Sequence, residues 1–216
     1  MPPLDPMLAA WSARLSLGLS DAQGELLHRF MAMLQRWNGT YNLTAVRDPA
    51  QMLTQHLADC LSVVPALRRH RGSANAKRLL DVGSGGGLPG VVLAILEDTL
   101  SVTCVDTVGK KAAFVRQVAA ELGLRNLHAE HARVEQLAAA PFDIITSRAF
   151  ASLLDFTALT KRHLAPGAVW MAMKGRQSDE ELAALPADIE VFHVEPLAVP
   201  GLDAERCLVW MRPPPN

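Results

Sequence analysis

Cysteine is scarce in this 216-residue chain, and the cysteines present do not organise into a pattern. Cys60, Cys104 and Cys207 lie far apart with no C-x-x-C pair, and an odd number argues against a disulfide framework. Cys104 and Cys207 stand in apolar, strand-like runs, so they read as small buried hydrophobes in a reducing compartment. An excess of one charge is also missing. Against 21 Lys and Arg stand 22 Asp and Glu, a formal net charge of -1. Any contact with nucleic acid therefore has to come from a local basic surface. No apolar run is long enough to span a bilayer. The opening MPPLDPMLAAWSARLSLGLS has no basic stretch ahead of a long apolar one, so no secretory signal is expected. The sequons at Asn38 (NGT) and Asn42 (NLT) then carry no expectation of glycosylation. There is no internal repeat and no H-E-x-x-H. His128 and His131, three apart on a strand-like run, would point to opposite faces, so no metal site is expected.

What is present is an ordinary globular balance, 50% hydrophobic and 20% charged. The first third reads as helical. Ser20 and Gln23 form a capping-box pair, after which Leu26, Leu27, Phe30, Leu34 and Trp37 share one helical face. NGTYNLTAVRD is expected to interrupt that helix. Asp48-Pro49 opens another, with Leu53, Leu57, Cys60, Leu61 and Val64 on one stripe, and Pro65 with the polar run RRHRGSANAKR is expected to end it. That run marks the seam between a helical N-terminal extension, residues 1–71, packed on a main domain at 72–216. From residue 78, strand-like runs alternate with amphipathic helices: RLLDVG, SVTCVD, NLHAE, FDIITSR and AVWMAMKG. Phe114, Val115, Val118 and Leu122 face one side of a helix ending at Gly123. Ser152 opens the next, with Gly167 after its end, and Ser178 with Glu181 caps a third. Alternating β and α predicts an α/β fold, a mostly parallel sheet with helices on both faces. IEVFHVEPLAV and RCLVWMRP have no helix between them and predict a terminal antiparallel hairpin.

Between two apolar runs lies RLLDVGSGGGLPGVVLAI. Gly85, Gly87 and Gly90 spell the G-x-G-x-x-G dinucleotide fingerprint, whereas Asp81, Gly83, Gly85 and Gly87 spell the D-x-G-x-G-x-G loop of many S-adenosylmethionine-dependent methyltransferases. Either way the glycines allow a sharp turn and close approach to a ligand, and Asp106 at the next strand end is placed to take ribose hydroxyls. Asp81 favours adenosylmethionine, because a carboxylate there can orient the loop or hold the cationic methionine end. The terminal strand pair and the lack of an obvious hydride-transfer partner favour it too. On these residues an NAD-dependent oxidoreductase, or a non-enzymatic module binding RNA or an adenosine ligand, stays open.

The stretches YNLTAVRDPAQMLTQHLADC, LLDVGSGGGLPG, VDTVGKKAAFVRQV, ITSRAFASL, MKGR and ERCLVW together are more specific than the loop. With them the chain resembles the bacterial 16S ribosomal RNA guanine-N7 methyltransferases, the family also called glucose-inhibited division protein B, from about Trp37 to Trp210. Ala45 and Cys60 stand where Ser is frequent in that family, and Val92 where Pro is. The resemblance implies a cytoplasmic enzyme with a Rossmann-like methyltransferase fold. It would have a seven-stranded, mostly parallel sheet with an antiparallel terminal strand. The cofactor implied is S-adenosyl-L-methionine, held by residues matching Gly83, Leu88, Val134, Glu135 and Arg148, with Ser84, Gly85 and Asp106 from the same loop and strand end. The implied partner is 16S ribosomal RNA or the small ribosomal subunit, at guanine 527 in the 530 loop. Neither a membrane nor a metal partner is expected, and nothing in the sequence calls for more than a monomer.

Guanine N7 already carries an in-plane lone pair, so no dedicated general base is expected. Arg148, ending FDIITSR, is the candidate catalytic residue, hydrogen-bonding the cofactor or orienting the base; the plain alternative is a surface arginine. Tyr41, Asn42 and Thr44 are candidates for a lid or base pocket, Lys174 and Arg176 for RNA phosphate. His56 and Asp59, three apart on a helix, read first as a structural pair. Arg68, Arg69, Arg71, Lys77, Arg78, Lys110, Lys111 and Arg116 are either RNA contacts or solvated groups.

Overall fold

Apolar runs flanked by turn residues become strands wherever both their faces can be covered, and five such runs here are joined by helices. A computed structural model describes residues 3–214 other than 75, 149, 151, 177 and 178. The five parallel strands are β1 (Arg78–Val82), β2 (Ser101–Asp106), β3 (Leu127–His131), β4 (Phe142–Ser147) and β5 (Leu164–Lys174). The hairpin β6 (Glu190–Pro196) and β7 (Cys207–Arg212) completes a seven-stranded sheet in the order β3-β2-β1-β4-β5-β7-β6. β7 runs antiparallel to both its neighbours, as the helix-free connection predicts.

The period-two alternation of the strands sorts side chains onto two cores. Leu79, Val102, Cys104, Ile144, Val169 and Met171 face one, and Leu80, Val105, Ile145, Trp170, Ala172 and Val209 the other. Helices α1 (Pro6–Arg14), α2 (Asp21–Tyr41), α6 (Gly90–Leu96) and α7 (Gly109–Leu122) cover the first; α8 (Leu153–Thr160) covers the second. The N-terminal helices thus share a core with the sheet. Phe30 of α2 lies 6.5 Å from Phe114 of α7, ring to ring, and both are fully buried. Losing such a ring to alanine costs ~3–5 kcal/mol. All three cysteines are buried and free. Burial pushes the Cys60 and Cys104 thiols up, which suits packing rather than nucleophilic chemistry.

Helix α2 carries the expected capping box but runs on through Asn38 and Gly39 to Tyr41. Asn38 is buried there, its amide donating to Val46 O and its carbonyl accepting Thr44 N–H, so it holds the loop instead of breaking the helix. Asn42, at φ 50°, ends it. The helix expected from Asp48-Pro49 forms in pieces: α3 (Pro49–Met52), a π-helical segment Leu53–Ala58, α4 (Asp59–Ser62) and, after one turn residue, α5 (Val64–Ala74). The expectation that Pro65 and the polar run end the helix is wrong. Proline is tolerated in the first turn of a new helix, and the arginines that follow have partners. Arg68 and Arg71 both pair with Glu97, and Arg69 pairs with Glu195. Gly167 lies inside β5 and not just past α8, whose end is finished by a 3₁₀ turn at Lys161–His163. Ser152 caps α8 by accepting Asp155 N–H, and Gly123, at φ 68°, closes α7. Ser178 falls outside the described residues; Glu181 sits in the short α9 (Asp179–Ala183) and accepts Leu153 N–H.

Candidate active site

All five parallel strands present their carboxyl ends at one edge, where an open α/β sheet binds ligands. After β1 the chain turns back sharply into α6. Gly87 adopts φ +81°, and a Cβ there would stand 2.4 Å from Val91 Cγ2; at Gly90 it would stand 2.4 Å from Cys104 Sγ and 2.9 Å from Asp81 Oδ2. Glycine is required at both. The loop is strapped to the end of β2. Gly83 N–H donates to Val105 O at 2.9 Å, Gly85 N–H to Asp106 Oδ2 at 2.9 Å, and Val108 N–H to Asp106 Oδ1 at 2.8 Å. Asp81 lies underneath with no exposure. One of its carboxylate oxygens accepts Gly90 N–H at 2.8 Å, and the other, Oδ1, is buried without a hydrogen-bond partner. Burial pushes its carboxyl up to about 7. Of its two expected roles, the geometry supports orienting the loop.

Above the strap opens a cavity of about 390 Å³ lined by Gly83, Asp106, Lys111, Val134, Glu135 and Phe150 among others. Val82, Val105, Val108 and Leu159 add apolar walls. A flat apolar slot edged by two carboxylates fits an adenosine, base against the aliphatic wall and ribose hydroxyls toward acceptors. The turn carrying Val134 and Glu135 is held from behind, its carbonyls accepting from His163 Nε2 at 2.6 Å and Arg162 Nη1 at 2.7 Å.

A second cavity of about 390 Å³ lies at the ends of β4 and β5, lined by Gln55, His56, Asp59, Arg148, Met173, Lys174, Gly175 and Arg206. Arg148 Nη1 donates to Gln55 O at 3.0 Å and reaches His56 Nδ1 and Asp59 Oδ2, each at 3.3 Å. Arg206 Nε donates to the other Asp59 oxygen at 3.2 Å. His56 Nε2 meets Thr44 Oγ1 at 2.7 Å. Because an arginine can only donate, His56 Nδ1 is the acceptor and Nε2–H the donor. Desolvation first, and the Arg148 charge second, lower the His56 pKa to about 4, so the ring is neutral near pH 7. Lys174 Nζ donates to Glu181 at 2.8 Å.

The sequence between residues 23 and 209 matches the family model GidB, described as rRNA small subunit methyltransferase G. The chain belongs to this family. It is 59% identical to the Ribosomal RNA small subunit methyltransferase G of Acidovorax ebreus (strain TPSY), over 97% of this chain and 96% of that one. With the protein of the same name from Leptothrix cholodnii (strain ATCC 51168 / LMG 8142 / SP-6) it is 61% identical, over 98% and 96%. Solved structures give the fold. TrmN from Thermus thermophilus aligns with TM-score 0.53 and 18% identity over 68% of this chain and 48% of that one. The ribosomal protein L11 methylase from Lactobacillus delbrueckii subsp. bulgaricus aligns with TM-score 0.52 and 15% identity over 72% and 76%. The protein is thus a methyltransferase of the Rossmann-like type using S-adenosylmethionine. The oxidoreductase and non-enzymatic readings left open by the glycine loop fall away.

Of the residues singled out in the sequence, Gly83, Asp106, Val134 and Glu135 line the first cavity, and Arg148 and Lys174 the second. Ser84 and Leu88 are buried within the loop, and Gly85 is tied to Asp106. Tyr41, 41% exposed, packs at a tilt against Trp37 with ring centroids 5.1 Å apart; Asn42 Oδ1 accepts from Arg47; the following Leu43 packs over Gly85 and Gly86. Arg176 stands exposed, 3.8 Å from Glu205. Among the other basic groups, Lys111 lines the first cavity, while Arg78 donates to Pro141 O at the amino end of the strands. His56 and Asp59 are joined through Arg148. Arg206 was missed: it reads as an ordinary charged residue at the start of an apolar strand, and only the fold carries it to Asp59. Among the described residues no cluster of His, Cys, Asp or Glu could hold a metal ion, and no helix is long and apolar enough to cross a membrane.

Proposed function

We propose that this enzyme methylates N7 of a guanine in the 530 loop of 16S ribosomal RNA, guanine 527 in standard numbering, in the cytoplasm. The carrying observation is the pair of cavities on adjacent strand ends, one suited to adenosine and the other lined, among the described residues, by Arg148, Arg206, Asp59 and a Lys174 that pairs with Glu181. The choice of nucleotide follows the resemblance of the YNLT, SRAF and MKGR segments to the guanine-N7 enzymes.

In this reading Gly83, Asp106, Val134 and Glu135 hold the adenosine end of the cofactor, and Ser84, Gly85 and Leu88 keep the loop in shape. Bound there, S-adenosylmethionine supplies an activated methyl group on a sulfonium. Arg148 is the catalytic residue, orienting the reactants from the second cavity. Held neutral and bonded at both ring nitrogens, His56 fixes Arg148 and is not a base. N7 attacks through a lone pair that needs no deprotonation, so the chain's contribution is alignment and an electrostatic setting that does not oppose movement of positive charge to the ring. The N7 edge is out of protein reach inside an A-form helix, so the target base must be unpaired or turned out. Tyr41, Asn42 and Thr44 border the base; Lys174 and Arg176 face the strand that carries it.

The test is methyl transfer from labelled S-adenosylmethionine to 16S RNA and to small subunits lacking the modification, with the product base mapped. A 7-methylguanine in the 530 loop is expected. Transfer to another atom or another loop would overturn the proposal, and so would no transfer with the cofactor bound.

A further inference from the structure

Among the described residues, the cavity holding Arg148 shares no lining residue with the adenosine-sized one. Asp59, its one carboxylate among the described residues, is 2% exposed and divided between two guanidiniums, at 3.3 Å from Arg148 and 3.2 Å from Arg206. Lys174 lies on the same wall, and neutral His56 adds no charge. A further cavity, about 420 Å³, shares Gly175 and Arg206 with it and continues past Arg176, Val194, Leu197 and one carboxylate, Glu205, which lies exposed 3.8 Å from Arg176. The two form one groove that bends round Arg206. An arginine-lined groove of this length suits a chain of phosphodiesters better than a single small anion. These cations do not suit the reactive edge of guanine, because donors placed there would cover N7.

We propose that this groove seats a backbone phosphate of the RNA beside the target nucleotide, with Arg206 its principal ligand and Asp59 the positioning residue for Arg206 and Arg148. This rests on the RNA-methylating function proposed above. A guanidinium carries five donors, and the Arg206 contacts named here use Nε, to Asp59, and Nη1, to Glu205 O.

The experiment compares wild type, Arg206→Gln, Arg206→Lys and a control, Lys161→Gln, whose lysine pairs with Asp188 at the opposite end of the sheet. Each is checked for folding by circular dichroism. Binding to unmodified 16S RNA is followed across a salt series, cofactor affinity by calorimetry, and turnover separately. For Arg206→Gln, RNA affinity falls about tenfold to a hundredfold, the usual loss for a charged hydrogen bond. The slope of log affinity against log salt drops by about one. Cofactor affinity holds, and Arg206→Lys recovers the slope. The control changes nothing. An unchanged slope in Arg206→Gln overturns the phosphate seat, as does a loss confined to cofactor affinity, which would assign the cavity to the cofactor's carboxylate. Failure of the proposed function reads differently: wild type would bind RNA without methylating it, while the slope comparison still decides the seat.

Discussion

Replacing His56 by glutamine should abolish the pH dependence that this ring contributes to stability between pH 4 and 6.5. In the folded protein the imidazole titrates at about 4, against 6.5 when exposed. Above pH 6.5 it is neutral in both states and contributes no slope. From 6.5 down to 4 the unfolded chain takes the proton and the folded one does not, so stability is lost at about 1.4 kcal/mol per pH unit, about 3 kcal/mol in all. Asp81 works the other way. Its folded carboxyl titrates at about 7, against 3.8 when exposed. From 7 down to 3.8 the folded state holds the proton first, so stability rises by about 1.4 kcal/mol per pH unit as the pH falls. Through the shared window the two contributions nearly cancel. Urea unfolding at half-unit steps from pH 4.5 to 7 exposes each in turn. Relative to wild type, His56→Gln gains stability toward acid with about that slope, and Asp81→Asn loses it. The readout is the difference in slope; a constant offset from lost packing does not enter. Parallel wild-type and His56→Gln curves would refute the neutral, buried imidazole on which the Arg148 geometry depends.

Gly83→Trp, at a loop position that lines the adenosine-sized cavity, abolishes cofactor binding by calorimetry while circular dichroism still shows the native fold; retained binding would remove this loop from the site. Arg148→Ala lowers methyl transfer about a hundredfold, yet lowers unfolding free energy by only about 1–3 kcal/mol, since Asp59 keeps Arg206 as a partner; unchanged turnover would sink its assigned role. Gly90→Ala, which drives a Cβ to 2.4 Å from Cys104 Sγ and 2.9 Å from Asp81, costs about 1–3 kcal/mol in urea unfolding.

Strands were the easiest elements to read. Leu79, Leu80, Ile144 and Ile145 are buried on both faces of a parallel sheet and so appear as unbroken apolar runs. The hairpin was legible because too little chain separates β6 and β7 for a crossover helix. Helix limits were harder. Asn38 and Gly39 carry turn propensity, but the buried amide of Asn38 bonds two backbone groups of the next loop, and that tertiary contact outweighs local preference. RRHRGS looked like a linker because its acidic partners, Glu97 and Glu195, lie 26 or more residues away. At the site, the glycines and Asp106 could be found because a tight turn and a strand end leave local marks. The link between Asp59 and Arg206 spans 147 positions of sequence and leaves none.

Leu53–Ala58 is wound more loosely than the helices flanking it, and the carbonyl that receives Arg148 belongs to Gln55 within it. Each residue of a regular helix advances the wheel by about 100°. Deleting any single residue there would let the segment wind as a regular helix and draw the Gln55 carbonyl and the His56 ring out of line with Arg148 and Thr44. At this point the protein depends on a length of chain rather than on a particular side chain, so a gap would do harm where many exchanges of residue would not.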